Sequence, residues 1–122
     1  VYCWGSNAQG QLAVDPVMVP TSNTPLLLGV PQVGTIAAGA EHTCAVIGLD
    51  VQCWGRNDQG QLGNGTNLGG FTPTFVAYPA GAGNVSALVA AADQTCTVMV
   101  GGAVYCWGGN QSGELLLEPD EN

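Results

Sequence analysis

The feature that most constrains the fold is a long sequence repeat that occurs three times. Residues 1–12 read VYCWGSNAQGQL, residues 51–62 read VQCWGRNDQGQL, and residues 104–115 read VYCWGGNQSGEL. The shared Cys-Trp-Gly recurs at intervals of about fifty residues. A second block, VGTIAAGAEHTC at 33–44 and VSALVAAADQTC at 85–96, repeats with the same period. Two blocks that share one period indicate a chain built from one structural unit used repeatedly.

Short β-favouring runs separated by turns occur throughout each unit. Two pairs of runs lie close together in the sequence, which predicts two tight β-hairpins. Proline near the last run of a unit is typical of an edge strand, which does not need every ladder hydrogen bond. A helix over Ala87–Ala92 is disfavoured, because the run is only six residues long and has β-branched neighbours. The expected strands are Pro25–Leu28, Ile36–Ala38, Thr43–Val46, Val51–Trp54, Thr74–Ala77, Leu88–Ala90, Thr95–Val98 and Val104–Trp107.

Four short strands in a unit of about fifty residues match the length and strand count of a β-propeller blade. One such blade cannot bury both of its faces, so blades stack around an axis. The innermost strand lies where blades crowd together, which fits the small residues of Ala37–Ala40 and Ala90–Ala92. The sequence therefore predicts an all-β fragment of a propeller with four-stranded antiparallel blades. Residues 1–122 form one partial propeller in this interpretation, with units 1–50, 51–103 and an incomplete 104–122.

The central copy carries a pattern that resembles a known family. It reads GAEHT at 39–43, CWGRN at 53–57 and GQLGNGT at 60–66. This pattern is similar to the regulator of chromosome condensation repeat, and the cysteines resemble those of secreted, bacterial-type propellers of that family. The resemblance implies a seven-bladed propeller, of which this chain would supply roughly 2.4 units. The remaining blades of a longer parent chain are therefore expected partners. The outer copies depart from the pattern, since Gln94 replaces His42.

Positions that recur in every copy are expected to be structural. Large aromatic side chains bury roughly 150–250 Å² each, which favours packing of the tryptophans between blades. A row of ligand-stacking tryptophans, as in a sugar-binding protein, is the alternative interpretation. The asparagines follow a glycine closely in each copy, where Asn tolerates turn geometry and bonds nearby backbone. The recurring positions are Trp4, Trp54, Trp107, Asn7, Asn57, Asn110, Gly10, Gly60, Gly113, Leu12, Leu62 and Leu115.

The predicted hairpins also bring cysteines together. The register that forms each hairpin places Cys44 opposite Cys53, and Cys96 opposite Cys106. Opposed strand residues have Cα atoms ~4.5–5.5 Å apart, within the disulfide range, so two disulfides and an oxidising, extracytoplasmic compartment are expected. Cys3 is then left over, and its partner is expected upstream in a longer chain. Reduced structural thiols are the alternative, while metal ligation is disfavoured because the chain has no Cys-x-x-Cys pair and one His.

The charge balance excludes several classes of partner. The chain has one Lys or Arg, nine Asp or Glu, and a formal net charge of -8. Nucleic acids and anionic membrane surfaces are bound through clusters of Lys and Arg, and a membrane span needs an apolar run of ~18 residues, so neither partner is expected. His42 is the one acid–base candidate near neutral pH, and its replacement by Gln94 in the next copy favours a structural role. No catalytic residue, metal or cofactor is expected.

Binding is expected in the segments that differ between copies, because loops carry function on a repeated scaffold. Ala13–Thr24 and Gly63–Thr74 occupy equivalent places and share little sequence. The chain is therefore interpreted as a non-enzymatic, extracytoplasmic scaffold that binds another protein. A carbohydrate-binding module and an inhibitor of a secreted enzyme are the alternatives, while the cysteines and missing cations disfavour a guanine-nucleotide exchange factor for a small GTPase. The candidate binding residues are Met18, Phe71, Phe75 and Tyr78.

Overall fold

The computed structural model describes residues 1–110, which form nine β-strands and no helix. The strands are β1 Tyr2–Ser6, β2 Thr21–Leu27, β3 Val33–Ala38, β4 His42–Ile47, β5 Asp50–Gly55, β6 Gly70–Phe75, β7 Val85–Ala91, β8 Gln94–Met99 and β9 Val104–Gly108. Every expected strand overlaps one of these. The Ala-rich run that offered a helical alternative lies almost entirely within β7.

The strands form three antiparallel sheets, so the all-β prediction is confirmed. Their orders are β1-β2, β3-β4-β5-β6 and β7-β8-β9. The central sheet shows the predicted four-stranded antiparallel blade. It spans residues 33–75 and is therefore offset from sequence units counted from the first residue. The edge strand β6 begins at Gly70, four residues before the expected Thr74, because Gly70 still pairs with Gly55 across an irregular stretch of the ladder.

The two hairpins have the register that the sequence predicts. In the first, Val46 pairs with Val51 and Cys44 pairs with Cys53. In the second, β8 pairs with β9 so that Cys96 lies opposite Cys106. Both registers follow from short connections, because a tight turn leaves the two arms few ways to pair.

The core lies between the sheets. One cluster joins the second and third sheets through Cys53, Leu62 and Leu88, and another joins the first and second through Leu28 and Trp54. The Ala-rich strand β7 packs beside both β3 and β4. Small side chains on facing strands let neighbouring sheets approach closely, which is the arrangement that the Ala-rich segments predict.

Candidate functional site

A tryptophan and a threonine fasten the second sheet to the turn of the first. Trp54 donates from Nε1 to the backbone carbonyl of Gln11 at 2.9 Å. The hydroxyl of Thr43 donates to the same carbonyl at 2.9 Å. Trp54 is 0% exposed, so a single turn oxygen accepts hydrogen bonds from two side chains of the neighbouring sheet, one of which is fully buried.

The same arrangement recurs one sheet further on. Trp107 donates from Nε1 to the carbonyl of Gln61 at 2.9 Å, and Thr95 donates to that carbonyl at 3.1 Å. Gln11 and Gln61 occupy the same position of the repeat, so the turns of the first and second units each accept hydrogen bonds from the sheet that follows. Sequence reasoning missed these two carbonyls because a backbone oxygen leaves no residue-specific signal.

The equivalent tryptophans differ in exposure. Trp54 is fully buried, Trp107 is half-buried, and Trp4 is 62% exposed. The structure therefore does not bring the three indoles together as an exposed row. Burial depends on whether a neighbouring sheet covers the slot, and Trp4 lies on β1, where no sheet formed by residues 1–110 covers it.

Buried asparagines hold the variable loops in place. Asn57 is 1% exposed and accepts a hydrogen bond from the amide of Leu62 at 2.9 Å. Its Nδ2 donates to the carbonyls of Thr66 at 2.9 Å and Leu68 at 3.0 Å. This one side chain therefore links the constant turn to the loop that follows it.

Asn7 does the same for the first loop. It accepts from the amide of Leu12 at 2.8 Å and donates to the carbonyls of Val14 at 2.9 Å and Val19 at 2.7 Å. Asn110 is buried as well. Asn7 and Asn57 thus fix the path of two loops whose own sequences differ. The predicted repeat positions Gly113 and Leu115 lie outside the described residues.

The candidate binding residues lie in different surroundings. Met18 is 79% exposed and Phe75 is 62% exposed. Phe71 packs its backbone against Gly10 of the first turn, where an added Cβ would lie 2.8 Å from the Cα of Phe71. Gly10 has a φ of 87°, which also favours glycine. Phe71 of the edge strand β6 therefore rests on the constant turn of the neighbouring unit.

Tyr78 lies between the second and third sheets. Its hydroxyl donates to the Thr97 hydroxyl at 2.9 Å. Its ring meets Tyr105 and Trp107 edge-on, with centroids 5.6 and 5.8 Å away. Val17 and Leu68, which sequence reasoning did not single out, are by contrast well exposed in the loops. Their exposure has no signal in a single sequence.

His42 is a buried link between sheets. It is 1% exposed, and its Nε2 lies 2.8 Å from the hydroxyl of Thr95. Since Thr95 donates its proton to Gln61, the shared hydrogen bond assigns the imidazole proton to Nε2. Burial lowers the pKa of His42 and outweighs the opposing effect of the Asp93 charge. The ring is thus neutral at pH 7, as the structural interpretation requires.

The single arginine is neutralised by two carboxylates. Arg56 donates to Asp58 at 2.6 and 2.7 Å and to Glu41 at 3.1 Å. The hydrogen bonds from Arg56 hold the pKa of Asp58 below its usual range. All three side chains are partly or largely solvent-exposed, so this cluster stabilises little by itself. It leaves no uncompensated positive charge for an anionic ligand.

Four cysteines pair within their hairpins. The sulfur atoms of Cys44 and Cys53 are 2.14 Å apart, and those of Cys96 and Cys106 are 2.11 Å apart. Cys3 is the free cysteine, and burial raises the pKa of its thiol. Within residues 1–110, no group of three or more His, Cys, Asp or Glu is placed to hold a metal ion. The same part of the chain has no helix that could cross a membrane.

Comparison with known families identifies the repeat. The profile described as "Regulator of chromosome condensation (RCC1) repeat" matches residues 1–46 and 50–99. The chain belongs to this family. The predicted family resemblance is therefore confirmed, and Gln11, Trp54 and Asn57 lie within the matched residues. No curated protein sequence gives a significant match.

Solved structures share the fold. Human WBSCR16 gives a TM-score of 0.82 at 22% identity, covering 98% of this chain and 32% of that chain. Saccharomyces cerevisiae Prp20, solved as yeast RCC1 bound to Kap60 and also in a study of its binding to Gsp1p and histones, gives 0.77 at 28% identity over 93% of this chain and 29% of that chain. The chain spans about a third of the length of these structures. The RCC1 repeats described here therefore form part of a β-propeller.

Proposed function

We propose that this chain is a non-enzymatic scaffold for protein–protein interaction that works outside the cytoplasm. The observation that carries the proposal is that constant positions make structural contacts, whereas variable positions are exposed. At constant positions, Thr43, Trp54 and Asn57 make hydrogen bonds between sheets or within a loop. The variable loops instead expose large apolar side chains, among them Met18 at 79%. Exposed apolar side chains on a rigid frame are typical of protein-binding surfaces.

The relatives support a protein as the ligand. Prp20 was solved bound to Kap60 and studied for its binding to Gsp1p and histones. Fold alone does not transfer a partner from one propeller to another, because function resides in grafted loops. The proposal therefore extends to the class of ligand and not to any of these named proteins.

The cysteine pairs support the compartment. Two pairs at bonding distance within single hairpins, at sequence separations of 9 and 10, are typical of proteins that fold in oxidising surroundings. Counting free thiols in protein isolated from its native source under acid quench tests this point. Cys44, Cys53, Cys96 and Cys106 are expected to carry no free thiol, and recovery of all four as free thiols would contradict the extracytoplasmic location.

The loop surface is tested with matched exposed residues. Partners are first captured with the wild-type chain from the extracellular proteins of its source. Each captured protein is then purified, and its affinity for the chain is measured by calorimetry. Met18→Ala and Phe75→Ala are expected to raise Kd at least about fivefold, which corresponds to roughly 1 kcal/mol. Leu49→Ala is the control, because Leu49 is 73% exposed but lies in the short β4–β5 turn.

Two outcomes would contradict the scaffold function. The first is an affinity that changes neither with Met18→Ala in the first variable loop nor with Phe75→Ala at the end of β6. The second is selective binding on a glycan array that is lost in Trp4→Ala, since Trp4 is the most exposed of the three tryptophans. That result would favour the carbohydrate-binding alternative, because sugar rings stack on exposed indoles.

A further inference from the structure

Two neighbouring cavities at the second variable loop share a wall formed by a pair of glycines. Gly69 and Gly70 line both cavities, whose volumes are about 500 and 340 Å³. Gly69 packs against the chain, because a Cβ added to it would clash with the carbonyl oxygen of Gly55. A Cβ added to Gly70 would meet no heavy atom of residues 1–110 within 4 Å, apart from its chain neighbours. A ligand backbone can therefore cross Gly70 closely and reach both cavities. The equivalent first loop, residues 13–24, has no glycine.

The larger cavity carries an excess of negative charge. Glu41, Arg56 and Asp58 line it, and the single guanidinium pairs with both carboxylates. Asp93 lies close by, because Gln61 donates from Nε2 to a carboxylate oxygen of Asp58 at 3.3 Å and of Asp93 at 3.4 Å. Three carboxylates and one guanidinium therefore lie in or beside this cavity. That balance suits a cationic group of a ligand and opposes an anionic one.

The smaller cavity offers apolar contacts instead. Leu68 and Phe71 line it and are 78% and 39% exposed, while the buried Leu62 also contributes to its wall. Apolar side chains around a cavity of this size provide the contact area that a ligand's own apolar side chain needs. The two cavities therefore present different chemistry on one continuous surface.

We propose that these cavities bind one extended segment of a partner protein, with an apolar side chain in the smaller cavity and an Arg or Lys side chain in the larger one. Side chains two positions apart in an extended segment point to the same face and are separated by roughly 6.5–7 Å. They can therefore enter neighbouring cavities while the segment's backbone crosses Gly70. The net charge of -8 on the chain favours the same basic partner. This proposal rests on the scaffold function and specifies the chemistry of the segment that the scaffold binds.

The segment is identified by selection from a phage-displayed library of random peptides. The full 122-residue chain is the bait, with both disulfides intact. Selected peptides are expected to share a large apolar residue and an Arg or Lys two positions away, in either order. The most enriched peptide is then synthesised with a fluorescent label, and its Kd is measured by anisotropy. A selection that returns no peptide with this pattern would overturn the proposal.

Gly70→Leu tests where the peptide binds. The φ of Gly70 is not positive and the space beyond its Cα is open, so the added side chain should obstruct the crossing without straining the backbone. Gly101→Leu is the matched control, because Gly101 meets the same two conditions between β8 and β9. Gly70→Leu is expected to raise Kd at least tenfold and Gly101→Leu less than twofold, with melting curves of both variants close to wild type. An unchanged Kd in Gly70→Leu would overturn the proposal.

A charge-deleted peptide tests the larger cavity without changing the fold. Citrulline replaces Arg, or acetyl-lysine replaces Lys, so that the side chain keeps its length and loses its charge. Affinity for the wild-type chain should fall several-fold, and affinity for Asp58→Asn should fall less, because one of the charge partners is already gone. Equal losses in the two chains would count against the proposed cation site.

The captured partner proteins separate this proposal from the scaffold function on which it rests. Their affinity is expected to fall in Gly70→Leu as well as in Met18→Ala. A captured protein that responds to Met18→Ala and not to Gly70→Leu would overturn the peptide site and leave the scaffold function standing.

Discussion

Substitution of Trp54 by Ala should selectively destabilise the contact between the first two sheets. Trp54 is 0% exposed and packs in a cluster with Leu28 and Ala45. Truncation of a buried aromatic side chain costs about 3–5 kcal/mol, because packing is lost and a cavity remains. The same change also removes the donor to the Gln11 carbonyl. That carbonyl keeps its bond from Thr43, so the packing loss dominates.

This loss is large relative to the stability of a domain. Whole domains are stable by about 5–15 kcal/mol, so the variant would retain only part of the original free energy of unfolding. For a chain of this size, 1 kcal/mol corresponds to a Tm shift of about 4 °C. Circular dichroism melts should therefore show Tm lowered by more than about 10 °C, and urea titration should show a matching fall in midpoint.

Trp4→Ala is the matched control, since it removes the same side chain from the same repeat slot. Trp4 is 62% exposed, so the free energy of unfolding should fall by less than about 1 kcal/mol. Trp54→Phe should lie between the two, because the ring stays buried while the Nε1 donor is lost, at a cost of about 1–2 kcal/mol. Equal destabilisation by Trp54→Ala and Trp4→Ala would refute the argument that sheet contacts decide the effect.

Three further perturbations test other contacts. Burial keeps the pKa of His42 below 6.5 in the folded chain. The unfolded chain therefore takes up the proton first as pH falls. The contribution of neutral His42 to the free energy of unfolding is present above pH 6.5 and is lost as pH falls further. Between about pH 7 and pH 5.5, the Tm of the wild-type chain should therefore fall more than the Tm of His42→Gln, which carries the residue found at the equivalent position, Gln94. An equal fall in Tm for both chains would contradict this. Asn57→Ala leaves the Leu62 amide and two loop carbonyls without their partner. It should lower the free energy of unfolding, measured by urea titration, by about 1–3 kcal/mol. Limited proteolysis should then cut in the loop that follows Asn57. Replacing both Cys44 and Cys53 by Ala removes that disulfide alone and should lower the free energy of unfolding by at least about 2–3 kcal/mol in a urea titration, with Cys3→Ser, which leaves both pairs intact, as the baseline.

Local sequence specified the hairpins because both partners of each pair lie close along the chain. Cys44 and Cys53 are separated by 9 residues, and one tight turn is enough to set their register. The recurrence of Trp and Asn with the period of the repeat predicted that the chain uses one kind of sheet several times. These features depend on contacts within a unit, so a single copy contains the information for them.

The contacts between units were decided by the tertiary structure. Trp4 and Trp54 are the same residue in the same motif, yet one is 62% exposed and the other 0%. The difference arises because only Trp54 has a neighbouring turn beside it, with the Gln11 carbonyl as acceptor. Tyr78 shows the same effect, since its place between two sheets depends on Thr97 in another strand. Burial is a property of what packs against a residue, and for a repeat protein that neighbour lies about fifty residues away.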